Sequence, residues 1–284
     1  MGETDKTPDP KLAAPAATPH PLSASWGRLR SALLGPGPLC RQHQSSNGRW
    51  LLLDPFPPAT AEKAFDQHLQ NLASKQDILK IDRKRQLSRV AGDGRSLVVK
   101  EFRKPGPWGR WRPDCRSWLN TRRLADHGIP VARCRAWLKH RDGRGFLILE
   151  DVGDLTLDEA LRNAGSIGCQ RRLLRAAARL AAWLHRVRIV HGDLKLSNIM
   201  VPAESADPRM PLTLIDSDAI HFNREPTPAA RAKNLYQMLD TFPPCISDCA
   251  RLRFMVDYRR AAGLDAHQLR PVIDIVNRRL AQTR

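Results

Sequence analysis

The hydrophobic period of this 284-residue chain changes once, near Asp151, and that change constrains its fold more than any other feature. Between residues 76 and 150 apolar residues alternate or run in short blocks, in DILKI, QLSRVA, SLVVKEF, VARCRAWLK and GFLILE. Such blocks fit strands with one or two buried faces. Asp93-Gly94 is the hairpin signal between the second and third blocks. A single helical stretch interrupts them around Ser117 to His127, stopped by Gly128 and Pro130. Beyond Asp151 the period becomes helical. Thr156 and Glu159 form a capping box that opens LDEALRN. Leu173, Ala177, Leu180 and Leu184 then line one face of a helix predicted over residues 170–187. Further helices are predicted at 228–240, 249–262 and 265–282. The pattern predicts an α+β chain: a β-rich N-lobe (residues 46–150), a connector near Glu150 to Gly153, and an α-rich C-lobe (residues 151–284).

Residues 1–45 stand apart from both lobes. The first 21 are dense in Pro, Ala and Thr, a composition that buries too little apolar surface to order itself, so a flexible tail is expected. In LSASWGRLRSALLG, Leu22, Trp26, Leu29 and Leu33 share one helical face with Arg28 and Arg30 beside it. Such a helix either lies on an anionic membrane surface or packs on its own domain. No apolar run is long enough to span a bilayer, and the start lacks the apolar core of a signal peptide. The six cysteines contain no C-x-x-C pair and read as free thiols in a reducing compartment. A cytoplasmic protein, soluble or peripherally attached, is expected.

Charge narrows the choice of partner. Residues 71–150 carry 20 Lys and Arg against 8 Asp and Glu, so +12 of the formal charge of +18 lies there. A positive field on one segment favours a polyanion: nucleic acid, an anionic membrane face or a phosphorylated substrate.

The stretch RIVHGDLKLSNIMV, residues 188–201, supplies the chemistry. Phosphoryl transfer needs a carboxylate to orient and deprotonate the attacking hydroxyl, metal ligands at the phosphates, and cations for the developing charge. Asp193 suits the first role, Lys195 reaches a transferring phosphate, and Asn198 reaches a metal. In TLIDSD, Asp216 ends the apolar run Leu212 to Ile215 and suits a second metal ligand. Lys100, within SLVVKEF, suits the α- and β-phosphates. Each element has a plain structural reading as well: Asp193 as a loop or capping aspartate, Asp218 as an exposed one.

Taken together, VVK, HGDLKLSN and LIDSD resemble the strand lysine, catalytic loop and metal-binding aspartate of the protein kinase superfamily, over roughly residues 76–260. The resemblance implies a bilobal protein kinase-like fold that binds ATP and Mg²⁺ between its lobes. It implies Lys100 at the nucleotide phosphates, Asp193 as catalytic base, Asn198 and Asp216 at the metals, and His191 as a brace of the loop. HGD is similar to small-molecule kinases of the aminoglycoside and choline type. DLKLSNIMV, HGIPVARCRAW and LYQMLD are more similar to the lipopolysaccharide core kinase family, which phosphorylates heptose or Kdo sugars. The basic charge favours the second branch, because an anionic glycolipid at the inner leaflet suits a positive field. The implied partners are lipopolysaccharide core as substrate and the cytoplasmic face of an anionic inner membrane as a peripheral contact. Nucleic acid is not the expected partner. A non-catalytic pseudokinase bound to an anionic membrane or nucleic acid is the alternative from a different class.

The departures from the kinase pattern are specific. No glycine-rich phosphate loop is present, and the turn IDRKRQL instead offers Arg83, Lys84 and Arg85, which would contact phosphate by charge. Between Glu101 and Glu150 the acids are Asp114, Asp126 and Asp142, and Asp114 is the candidate partner of Lys100. Ser217-Asp218 follows Asp216 in place of Phe-Gly and no A-P-E follows, so neither an activation-loop switch nor a protein substrate is expected. RKPGPWGRWRPDCRSW interleaves Trp108, Trp111 and Trp118 with Arg103, Lys104, Arg110, Arg112 and Arg116. It reads as a platform for a sugar-phosphate headgroup, as a stacking surface for single-stranded nucleic acid, or as a loop whose Trp residues pack on the next helix. Arg171, Arg172, Arg175 and Arg179 are expected to form a solvated helix face.

Overall fold

Side-chain alternation along one strand organises the first lobe. In β5 (Ser96–Phe102), Leu97 and Val99 face one way while Lys100 and Phe102 face the other. The computed structural model describes residues 22–35, 37, 39–92, 94–103, 112–153, 155–202, 211–222 and 225–283. The tail 1–21, Asp93, Lys104, Trp108, Arg110 and Trp111 lie outside them, as do the side chains of Leu22, Trp26 and Leu29.

Around β5 run β1 (Cys40–Gln44), β2 (Gly48–Leu53), β3 (Ile78–Ile81), β4 (Arg85–Ala91), β6 (Cys134–His140) and β7 (Gly145–Glu150). All neighbours are antiparallel, in the order β1-β2-β6-β7-β5-β4-β3. The three strands read between residues 76 and 102 are β3, β4 and β5. Sequence periodicity had not anticipated the hairpin β1–β2 or the helix α2 (Pro58–Ser74). CRQHQ alternates weakly because β1 is an edge strand with little to bury. Apart from Phe65, the burying face of α2 is made of small or polar residues, among them Ala61, Ala64 and His68, which carry little periodic signal.

Helices cover both faces of the sheet. On one, α2 buries Phe65 against Trp50, Val99 and Phe146. On the other lie α1 (Leu22–Leu34) and α3 (Pro113–Asp126), where Leu33, Trp118, Trp137 and Leu147 pack together. The C-terminal end of α1 therefore packs on its own domain, with Leu33 fully buried and its carbonyl accepting from Trp118 Nε1 at 3.0 Å. That burial excludes Trp118 from a sugar-binding platform: it is a core residue.

After the connector at residues 151–153 the chain turns helical: α4 (Leu157–Arg162), α5 (Ile167–Arg186), α6 (Pro228–Asp240), α7 (Asp248–Ala262) and α8 (Ala266–Thr283). The predicted capping box is present, with Thr156 and Glu159 exchanging hydrogen bonds at the start of α4. Helix α5 buries Leu173, Ala177, Leu180 and Leu184 in one core shared with α6, α7 and α8. Its Arg171, Arg172 and Arg175 are exposed. Four two-residue strands carry the loops that matter: β8 (Val190–His191) pairs with β11 (Ile220–His221), and β9 (Ile199–Met200) pairs with β10 (Thr213–Leu214). No helix of the described residues is long and apolar enough to cross a membrane.

Candidate active site

The loop between β8 and β9 contains Asp193, Lys195 and Asn198, and the turn between β10 and β11 contains Asp216 and Asp218. Pairing of these short strands brings the loop and turn side by side, and Ile215 N donates to the Asn198 carbonyl at 3.1 Å. His191 joins them. Its Nε2 lies 2.9 Å from the Asp216 carbonyl, and its Nδ1 accepts from Asp193 N at 3.1 Å. Only one neutral tautomer satisfies both bonds, with the proton on Nε2. Burial, outweighing the neighbouring acids, holds the His191 pKa below the ordinary histidine value. His191 therefore acts as a neutral brace and offers no acid–base function.

Helix α6 holds the loop from beneath through three polar side chains at one helical face. Gln237 accepts from Leu194 N at 3.1 Å and donates to the Gly192 carbonyl at 3.0 Å. Thr241 accepts from Leu196 N at 3.2 Å, and Asn234 bonds both the amide and the carbonyl of His191. These anchors fall in NLYQMLDT, where spacings of three and four residues on a predicted helix were the available signal. Within the loop, Asn198 Nδ2 donates to the Asp193 carbonyl at 2.9 Å and to Asp193 Oδ2 at 3.3 Å, while Lys195 Nζ sits 3.0 Å from Asp193 Oδ1. Asp193 and Lys195 are each nearly half exposed, so both side chains are open to solvent.

The sheet meets this constellation through two cations. Lys100 Nζ lies 2.9 Å from Asp218 Oδ1 and 3.3 Å from Asp216 Oδ1. Arg85, from β4, places Nη1 at 2.9 Å from Oδ2 of both aspartates. Burial opposes ionisation of both carboxyls. At Asp216, Lys100 and Arg85 overcome it and hold the group well below the usual carboxylate range. Asp218 is instead raised from its ordinary value by burial and by the charge of Asp216. Two carboxylates this close behave as one titrating pair.

The partner of Lys100 is thus not Asp114. That carboxylate, in the first turn of α3, is taken by Trp137 Nε1 at 2.8 Å and by Arg112 at 2.8 Å. Nor does adjacent Glu101 serve, because alternation along β5 turns it to the other face, where it meets His68 and Arg144. Of the three basic residues read in IDRKRQL, Arg85 enters the site. Arg83 and Lys84 stand exposed on a turn that Asp82 closes by accepting from Lys84 N and Arg85 N.

The donor set fits a hard divalent cation. Asp216 and Asp218 offer carboxylate oxygens, and because the amide nitrogen of Asn198 is committed to Asp193, its oxygen remains for a metal. No group of three or more His, Cys, Asp or Glu among the described residues makes a cation cage by itself. Two carboxylates and one amide oxygen are the kind of donor set from which Mg²⁺ takes one or two carboxylates, completing its shell with water and substrate phosphates.

An antiparallel sheet with helix α3 inserted between β5 and β6, joined by a short connector to a helical lobe that bears the paired loops, defines a protein kinase-like fold. One solved structure agrees in fold. WaaP in complex with acyl carrier protein matches with a TM-score of 0.59 at 18% identity, over 82% of this chain and 98% of that one. The BubR1 kinase domain matches at 0.44 and 12% identity, over 78% and 61% of the two chains. The CAK complex from Chaetomium thermophilum bound to ATP-gamma-S matches at 0.43 and 12% identity, over 68% and 71%. The chain belongs to the lipopolysaccharide kinase (Kdo/WaaP) family, whose model matches residues 72–256. No curated protein matches it at a significant level.

Proposed function

We propose that the protein transfers the γ-phosphoryl group of ATP to a sugar hydroxyl of an anionic glycolipid, most simply the lipopolysaccharide inner core. The observation that carries the reading is the meeting of Lys100 and Arg85 with Asp216 and Asp218 across the cleft, one brace away from Asp193. Mg²⁺ held by Asp216 and Asn198, with Asp218 beside it, would offset phosphate charge. Lys100 binds the α- and β-phosphates, and Arg85 supplies by charge what a glycine-rich loop supplies by backbone amides. Asp193, oriented by Asn198, takes the proton of the attacking hydroxyl, and Lys195 stabilises the charge on the transferred group.

Peripheral contact with an anionic membrane suits the surface beside the cleft. Leu79 and Ile81 on edge strand β3 are 46% and 54% exposed, and Lys80, Arg83 and Lys84 next to them are exposed as well. Co-sedimentation with anionic vesicles tests this contact. The partner in the WaaP structure suggests a parallel test, co-purification with acyl carrier protein.

The reaction is tested with labelled ATP, Mg²⁺ and dephosphorylated lipopolysaccharide core. Label is expected on the glycolipid with the wild-type protein, and Asp193→Asn should lower kcat by roughly 10² to 10⁴ with little change in nucleotide affinity. Mg²⁺-ATP binding without label on the glycolipid would redirect the acceptor to small hydroxyl compounds. Absence of binding would favour a non-catalytic role.

A further inference from the structure

In the described residues no acid of α3 reaches Lys100, yet α3 grips the Asp216–Asp218 turn directly. Between the two aspartates, Ser217 is buried, with its Oγ 3.0 Å from Ser117 Oγ and 2.8 Å from Thr121 Oγ1. Thr121 Oγ1 also donates to the Ser117 carbonyl at 2.8 Å. The three hydroxyls and the Ser117 carbonyl form one buried cluster, in which Ser217 Oγ also lies 3.3 Å from that carbonyl. Two further bonds flank it, from Asn120 Nδ2 to the Ser217 carbonyl at 2.7 Å and from Arg116 to the Ile220 carbonyl at 3.0 Å. Four residues within two turns of one helix thus hold Ser217, by side chain and carbonyl, and Ile220, by its carbonyl.

We propose that Ser117, Asn120 and Thr121 are positioning residues that aim Asp216 and Asp218 through Ser217, so that the placement of α3 sets metal affinity at the cleft. The inference rests on the metal-dependent kinase reading above and deepens it. A large apolar residue at position 217 would tie the turn to the lobe by packing, which tolerates small slides. Directional bonds from buried hydroxyls do not, because a displaced donor leaves its acceptor unsatisfied in a dry site. The same argument accounts for three adjacent polar side chains on the buried face of α3, where Ser117, Asn120 and Thr121 are 2%, 7% and 3% exposed.

The test is a Mg²⁺ titration of the binding of a non-hydrolysable ATP analogue, read by calorimetry, with the ligand-free melting temperature recorded for each variant. Ser217→Ala, Asn120→Ala and Thr121→Val should each raise the Mg²⁺ concentration for half-maximal binding, by about 10-fold for a lost buried hydrogen bond. Thr121→Ser, which keeps the hydroxyl, should restore the wild-type midpoint. Val272→Ala, a buried α8 residue away from the site, controls for stability and should lower the melting temperature without moving the midpoint. If the wild type depends on Mg²⁺ and the α3 variants titrate like it, the latch is overturned and the kinase reading stands. If analogue binding by the wild type is indifferent to Mg²⁺, the metal reading falls and the latch with it.

Discussion

Gly192 stands between His191 and Asp193, and the space around it explains why no larger residue follows the histidine. A Cβ built there would lie 2.7 Å from both the Cβ and the carbonyl oxygen of Ala219, because the loop runs directly against the Asp216–Asp218 turn. Gly192→Ala is expected to push the two apart, with a stability loss of about 1–3 kcal/mol and a larger loss of turnover. Urea unfolding and kcat measured together check this. HGD in this chain is thus a packing requirement. The cysteines also differ by place. Burial pushes the Cys40 thiol up to about 11 and Cys134 further, whereas Cys245 and Cys249 are exposed. A thiol reagent near neutral pH should therefore modify Cys245 and Cys249 rapidly and reach Cys40 and Cys134 only on unfolding, as mass spectrometry of a time course would show.

Among the elements, α6 anchors the Asp193 loop. Gln237 bonds the backbone on both sides of Asp193, at Gly192 and Leu194. Gln237→Leu fills similar space but leaves both backbone groups unmatched. It should lower kcat roughly 10- to 100-fold through misplacement of Asp193, with the KM for ATP little changed. Steady-state kinetics separate the two. Of the elements, the strand carrying Lys100, the capped start of α4 and the long helix α5 could be read from period and capping alone. Strand β1 and helix α2 could not, because an edge strand and an Ala-rich helix face show little hydrophobic contrast. The candidate residues themselves were readable as a motif. Their partners were not: Asp114 was read beside Lys100, and Trp137 and Arg112 in fact hold it.

At the scale of the whole molecule, the C-lobe core is pinned by a buried polar chain. Arg231 donates to Tyr258 Oη, which lies 2.8 Å from His185 Nδ1, and His185 Nε2 lies 3.1 Å from Asn234 Oδ1. Burial lowers the His185 pKa from 6.5 to about 4, and Arg231's charge adds to the effect. His191 is lowered in the same direction. Between those values the unfolded chain binds a proton that the folded chain refuses. Stability is therefore complete above pH 6.5 and falls as the pH drops toward 4, by about 3 kcal/mol from His185 alone. Unfolding free energies measured across this range should show that slope, and His185→Gln should flatten it.

The sequence by itself determined the α+β order of the lobes and the kinase-like motif of Lys100, Asp193, Asn198 and Asp216, because period, capping and motif spacing are local and survive without a partner. Which charges meet was decided in three dimensions. Lys100 and Arg85 lie on the sheet lobe, and Asp216 and Asp218 lie more than a hundred residues away in the helical lobe. Alternation along β5 turned Lys100 toward them and Glu101 away, and α3 arrived with hydroxyls where an acid was sought. Pairings of that kind depend on how two lobes dock, and no local period records it.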